Sequence, residues 1–202
     1  GKRGGFIIHN IQSLAKSADI IGLQETHLKK DVGAKEVDDS GSPHYNHSFF
    51  YNILSSSSAG TATLVHKRWE DKYHISQHTY SKELEGYVIT LKFSPKKNSE
   101  LGCSPLPFSH TNVYVKCGNS AEVSAFRNKL FDQITKSSPN SLHFLAGDFN
   151  FTEAPEDSQS GKKAVPSAIV DKWNELVTSL DLVEARQKSH TYFSFSQDRS
   201  HY

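Results

Sequence analysis

Two hydrophobic periods run through this chain, and their order sets out its elements. From Phe6 to Ser17, Ile7, Ile8, Ile11, Leu14 and Ala15 recur at helical spacing, which predicts an amphipathic helix. The run Asp19-Ile20-Ile21-Gly22-Leu23 then reads as a strand buried on both faces, ending just before Glu25. Residues 31–58 are polar, hold Gly33, Gly41, Pro43 and the run Ser55 to Ser58, and read as loop with short strands. Beyond them, Thr61 to Val65, Tyr73 to Thr79 and Gly86 to Phe93 are β-branched and aromatic, predicting consecutive antiparallel strands. A loop rich in Pro and Ser covers Ser94 to Ser109. His110 to Val115 follows as a strand with Thr111, Val113 and Val115 on one face and Asn112 and Tyr114 on the other.

Ser120 suits the N-cap of a helix through Lys136, with Val123, Phe126, Leu130 and Ile134 on its apolar side and Pro139 beyond its end. Leu142 to Ala146 reads as a strand aimed at Asp148. A second capped helix is predicted from Ser167 through Leu180, burying Ile169, Val170, Trp173, Leu176, Val177 and Leu180. A short strand near His190 to Phe195 closes the series. Helices interleaved with strands, some of them antiparallel, predict an α/β layered domain. No internal repeat or clean linker interrupts it, so residues 1–202 read as one domain.

Composition narrows the class further. A hydrophobic content of 36% fits a globular protein, and no apolar run approaches the roughly 18–20 residues of a membrane helix. The net charge of +1 advertises no polyanion partner by itself. The basic dipeptides Lys2-Arg3, Lys29-Lys30, Lys67-Arg68, Lys96-Lys97 and Lys162-Lys163 are read either as solvated surface or as the lining of a groove. Cys103 and Cys117 match no metal-ligand spacing or disulfide framework, which fits a reducing, intracellular compartment. The chain has no Met and starts Gly1-Lys2-Arg3, and it stops at Arg199-Ser200-His201-Tyr202 without cap or tail, so it reads as a piece of a longer frame.

The candidate chemistry lies at two acidic strand ends, Leu23-Gln24-Glu25-Thr26-His27 and Ala146-Gly147-Asp148-Phe149-Asn150. Phosphodiester hydrolysis needs charge neutralisation, an oriented water and a stabilised leaving oxygen more than it needs covalent chemistry from the protein. Hard Mg²⁺ prefers oxygen ligands and is commonly held by one or two carboxylates, a role that suits Glu25. Asp148 and Asn150 stand at i and i+2, on one side if extended geometry continues. There a carboxylate can orient water while an amide donates to a phosphate oxygen. The phenol of Tyr114, on the polar face of its strand, can donate to the same phosphate. Each residue alone also fits a plainer role: a solvent-facing strand end for Glu25, a turn for Gly-Asp-Phe-Asn, a packed ring for Tyr114.

Taken in order, Gln24-Glu25-Thr26, Tyr114 and Gly147-Asp148-Phe149-Asn150 resemble the motifs of the endonuclease/exonuclease/phosphatase family, which includes DNase I, exonuclease III and abasic-site endonucleases. Within it the chain is most similar to the endonuclease domain of non-LTR (LINE-type) retrotransposons. That likeness is carried by residues 23–28, Ser58-Ala59-Gly60-Thr61-Ala62, Asp148-Phe149-Asn150-Phe151-Thr152 with Glu156-Asp157 after it, Val170-Asp171-Lys172-Trp173, and His190-Thr191-Tyr192-Phe193-Ser194. The resemblance implies a four-layer α/β sandwich, two mixed β-sheets packed face to face and flanked by helices. It implies Glu25 as metal ligand for Mg²⁺ or Mn²⁺, with Glu25, Tyr114, Asp148 and Asn150 catalytic and Asn150, Tyr114 and Thr191 on the phosphate. It implies DNA as partner, a nuclear location and a covalently linked reverse transcriptase.

Departures from the pattern matter equally. The family's first strand, with an active-site Asn, is absent upstream of Phe6, and Asn10 inside the helix is no substitute. Its C-terminal Asp and Asp-His pair are absent too, which implies a domain truncated at both ends, inactive alone and poor at folding. Other readings are an abasic-site repair nuclease, a small-molecule phosphoesterase of the same family, or a catalytically dead remnant. The spacings of His44 with His47 and of His74 with His78 could serve a metal but lack Cys or acidic partners, so the histidines read as surface or core residues, with His27 supporting Glu25.

Overall fold

The computed structural model describes residues 13–26, 46–53, 59–96, 105–118, 120–137, 142–151 and 167–185, with the backbone of 192–194 and 199–201. The chain forms two compact units, residues 1–114 with 141–148, and residues 115–140 with 149–202. The first unit carries two sheets. One has the order β1-β3-β2, from β1 (Ile20–Leu23), β2 (His47–Asn52) and β3 (Thr61–His66), all antiparallel. The other has the order β4-β5-β6-β7, from β4 (Tyr73–Gln77), β5 (Val88–Pro95), β6 (Phe108–Tyr114) and β7 (Leu142–Asp148). Its first three strands are antiparallel and β7 is parallel to β6, so the sheet is mixed.

The sheets pack face to face because each turns an apolar face inward. Val65 from the first sheet joins Tyr73, Ile89, Leu91, Phe93 and Phe108 from the second, with Ile20, Phe50, Trp69 and Ile75 packed around them. The rings of Phe93 and Phe108, register partners on β5 and β6, stack at 4.1 Å, and Trp69 meets both edge-on. A buried aromatic of this kind contributes roughly 1.5–3 kcal/mol.

β1 is covered on both faces, Ile20 packing toward the core between the sheets and Ile21, on the opposite face, buried; it pairs only with β3 among the described residues. One expectation is corrected. The strands after residue 60 are not one antiparallel run, because a 3₁₀ turn at Lys67–Trp69 separates β3 from β4, and the two belong to different sheets. His66 caps that turn, its Nδ1 accepting the Arg68 N–H at 3.1 Å. Of the predicted helix 6–17, only residues from Ser13 onward lie within the described residues, where the Ser17 and Ala18 N–H groups close its last turn on the Leu14 carbonyl.

In the second unit, α1 (Ala121–Ser137) begins as its sequence predicts, the Ser120 hydroxyl accepting the Val123 N–H at 3.2 Å. Its buried side chains include Phe126, Arg127, Leu130, Phe131 and Ile134. α2 (Ser167–Ser179) buries Ile169 and Leu176, while Val170, Trp173, Val177 and Leu180 are only half-buried, fewer than the predicted six. Trp173 packs instead in an aromatic cluster with Phe131, Phe149 and Phe151, its ring 4.8 Å from that of Phe149. β8 (Tyr192–Ser194) and β9 (Arg199–His201) pair antiparallel. No helix among the described residues is long and apolar enough to cross a membrane.

Candidate active site

Three of the sequence-derived residues come together at strand ends of the first unit. Glu25 is exposed, two residues past β1, in a left-handed conformation (φ +50°) that ends the strand and turns its side chain out of the ladder. Tyr114 closes β6, and its hydroxyl donates to Glu25 Oε1. Asp148 closes β7 and is the register partner of Tyr114, with its carboxylate exposed. Two carboxylates and a phenol thus collect where β1, β6 and β7 end.

The local backbone explains why they stay there. The Thr26 N–H donates to the Gly60 carbonyl at 3.0 Å, the Gly60 N–H to the Gly86 carbonyl at 3.0 Å, and the Tyr114 N–H to the Tyr87 carbonyl at 2.7 Å. These bonds lace the loops carrying Glu25, Gly60 and Tyr87 to the end of β6. Gly147, immediately before Asp148, has φ +145°, and a Cβ there would stand 2.0 Å from the Val113 carbonyl oxygen. Only glycine lets β7 approach β6 this closely at the point where Asp148 is presented.

Beneath Glu25 lies a bracket that sequence reasoning passed over. Asn112 is fully buried on β6, and its Nδ2 donates to the carbonyls of Leu23 (3.0 Å) and Ala62 (2.9 Å) across the two sheets. Its Oδ1 accepts from Gln24 Nε2 at 2.5 Å. The amide therefore grips the two residues that precede Glu25. The available signal was an Asn, poor in β propensity, on the same strand face as Tyr114.

Asn150 belongs to the second unit and has φ +53°, so the extended geometry that would keep it on the side of Asp148 ends at β7. Its Nδ2 donates to the Val115 carbonyl at 2.7 Å, which uses one of the amide's two N–H groups. In the same unit Arg127, 2% exposed, donates from Nη2 to the carbonyls of Lys116 (3.2 Å) and Gly118 (2.9 Å). Desolvation lowers its pKa. Asn150 and Arg127 together hold the segment that follows Tyr114. Thr191 and His27 lie outside the described residues.

Burial pushes His110 on β6 and His143 on β7 down to about 4, the former helped by its neighbour His143, so both are neutral at pH 7. His47 is buried with Nε2 3.0 Å from the Ala18 carbonyl, His78 packs its ring against Tyr80, and His44 is outside the described residues. Among the described residues no group of three or more His, Cys, Asp or Glu is placed to hold a metal. The donors at the strand ends are all oxygen, from Glu25, Asp148 and Tyr114. One or two carboxylates completed by water fit a hard ion such as Mg²⁺. A carboxylate offers about four lone-pair sites, so the Tyr114 bond does not exhaust Glu25.

The sequence matches the Endonuclease/Exonuclease/phosphatase family over residues 7–200. No curated protein matches it. Among solved structures, the fold is similar to the AP endonuclease LMAP of Leishmania major, with a TM-score of 0.61 and 16% identity over 89% of this chain and 62% of that one. The human Nocturnin catalytic domain with bound sulfate aligns at TM-score 0.48 and 17% identity, over 82% of this chain and 69% of that one. Truncated TDP2 of Caenorhabditis elegans aligns at TM-score 0.43 and 17% identity, over 81% and 61%. The chain thus spans about three fifths of the length of the endonuclease it resembles.

Proposed function

The chain belongs to the Endonuclease/Exonuclease/phosphatase family, a family of hydrolytic nucleases and phosphodiesterases, and from that premise we propose that it is the Mg²⁺-dependent DNA-nicking domain of a retrotransposon polyprotein. In this reading the nick leaves a 3′-hydroxyl that primes a reverse transcriptase carried on the same protein, in the nucleus. The observation that carries the phosphodiesterase part is the meeting of Tyr114 with Glu25 at the strand ends, with Asp148 in register beside Tyr114. The retrotransposon part is supported by the strings around Glu25, Asp148 and Thr191.

Each residue then has a task. Glu25 holds the divalent ion, Mg²⁺ or Mn²⁺. When bound, that ion would neutralise charge on the phosphate and its leaving oxygen. Asp148 accepts a proton from the attacking water and orients it in line with the bond that breaks. With substrate bound, the Tyr114 hydroxyl turns its one proton from Glu25 to a non-bridging phosphate oxygen, and the Asn150 amide donates to the phosphate as well, with Thr191 alongside.

The test is nicking of supercoiled plasmid by the chain carried in its natural flanking sequence. Nicking is expected with Mg²⁺, lost with EDTA, and reduced about 100-fold or more in Glu25→Ala. Absence of nicking by the folded protein, together with turnover of small phosphate esters, would assign it instead as a phosphoesterase. Absence of both would make it a dead remnant.

A further inference from the structure

A second tyrosine stands beside the Glu25–Tyr114 pair, outside the chemistry described above. The ring of Tyr87 lies parallel to that of Tyr114, with an interplanar angle of 4° and centroids 6.1 Å apart. Tyr87 occupies the loop between the 3₁₀ turn Lys82–Leu84 and β5. Its flanking residues Leu84 and Val88 are fully buried and anchor that loop, while Tyr87 is only half-buried. The packing of the loop into the core is thus supplied by its neighbours.

The loop is also held rigidly. The Tyr87 N–H donates to the Leu84 carbonyl at 3.1 Å and its carbonyl accepts the Tyr114 N–H at 2.7 Å. Gly86, at φ +79°, turns the chain so that its own carbonyl receives the Gly60 N–H at 3.0 Å. An aromatic ring whose backbone is already ordered loses little freedom on meeting a ligand.

We propose that Tyr87 is a substrate-contacting residue whose ring stacks on a nucleobase adjoining the phosphate held at Glu25, Tyr114 and Asp148, so that the substrate of this site is a nucleic-acid strand rather than a small phosphate ester. The inference rests on the phosphodiesterase reading of those three residues. Tyr114 meets the metal ligand through its hydroxyl, which puts the phosphate at that edge of its ring. Tyr87 lies within about one nucleotide's length of the same ring. Every base has a π face, so such a contact holds a strand irrespective of sequence and leaves target choice to other surfaces.

The experiment compares two fluorescently labelled 12-mers with the same phosphates: oligo(dT), and an oligomer of tetrahydrofuran abasic units. Binding is followed by fluorescence anisotropy in EDTA, so no turnover is needed, with wild type, Tyr87→Leu, Tyr87→Phe and Tyr87→Trp. Tyr87→Leu is expected to weaken oligo(dT) binding roughly 5- to 150-fold while the abasic oligomer binds it as it binds wild type, and Phe and Trp are expected to restore dT binding. Equal loss on both oligomers would make Tyr87 a brace for Tyr114 and overturn the proposal, as would wild-type-like dT binding by Tyr87→Leu or no binding of either oligomer by wild type. Plasmid nicking is scored separately, so base-dependent binding without nicking would sink the catalytic reading and leave the stacking contact standing.

Discussion

Asn112→Ala isolates the bracket beneath Glu25. The substitution removes the donor to the Leu23 and Ala62 carbonyls and the acceptor for Gln24 Nε2, three bonds made by a side chain with no exposure. A buried polar group left unpaired costs about 1–3 kcal/mol. The Ala62 contact is fully buried and bears that in full, whereas the Leu23 and Gln24 contacts are partly buried and recover some solvation. The sum is about 2–4 kcal/mol, which for a chain of this size lowers Tm by about 4–16 °C. Because Leu23 and Gln24 directly precede Glu25, the released strand end should also raise the Mg²⁺ concentration needed for half-maximal nicking. Thr90→Val is the control: it breaks the buried hydroxyl chain of Tyr80, Thr90 and Thr111 and is expected to lower Tm without moving the Mg²⁺ dependence. Thermal melts and Mg²⁺ titrations of the three proteins decide. A Tm loss under about 2 °C, or an Asn112→Ala protein that is destabilised yet has wild-type Mg²⁺ dependence, would refute the reasoning.

Other consequences can be checked the same way. Gly147→Ala places a methyl group 2.0 Å from the Val113 oxygen at φ +145°, so it is expected to lose more than about 3 kcal/mol in a denaturant melt or to express without folding; near-native stability would show that β7 can move away from β6. His110 and His143 titrate at about 4 in the folded protein against 6.5 when unfolded, so between those values the unfolded state binds more protons and stability falls as pH drops from 6.5 to 4. The loss is on the order of 3 kcal/mol per histidine at most, and His143→Phe is expected to flatten the pH dependence of Tm in that window. Ser120→Ala removes the bond to the Val123 N–H and is expected to destabilise α1 by about 1 kcal/mol, read as a Tm shift of about 2–4 °C.

How far the fold could be read in advance depended on the range of the interactions concerned. Ser120 and its helix, and the strand at Thr61, follow from local periodicity and capping, and the structure has them within a residue or two of the predicted bounds. The pairing of β1 did not follow, because a short apolar run looks alike in a central strand and at a sheet edge. Nor did the change of sheet between β3 and β4, which is set by which faces meet in the core around Trp69 and Phe93 rather than by any residue in either strand. In α2 the 3.6-residue stripe named the apolar face correctly, but how deeply Trp173 is covered depends on Phe149 and Phe151, which lie outside the helix.

The site divides along the same line. The strand-end placing of Glu25 and Asp148 was legible because each follows a short apolar run, and that of Tyr114 because it closes the polar face of its strand. The groups that hold them were not, since their partners are distant in sequence: Gln24 and Asn112 are 88 residues apart, Asn112 and Ala62 are 50 apart. Asn150 stands between the two cases. Its motif points to a phosphate donor, and its left-handed backbone and its bond to Val115 hold the segment that carries Val115. On the proposed reading a substitution at Asn150 removes that hold as well as a phosphate donor, and Asn150→Asp, which keeps the shape but replaces the donor to Val115, is expected to weaken nicking more than loss of one phosphate hydrogen bond alone would.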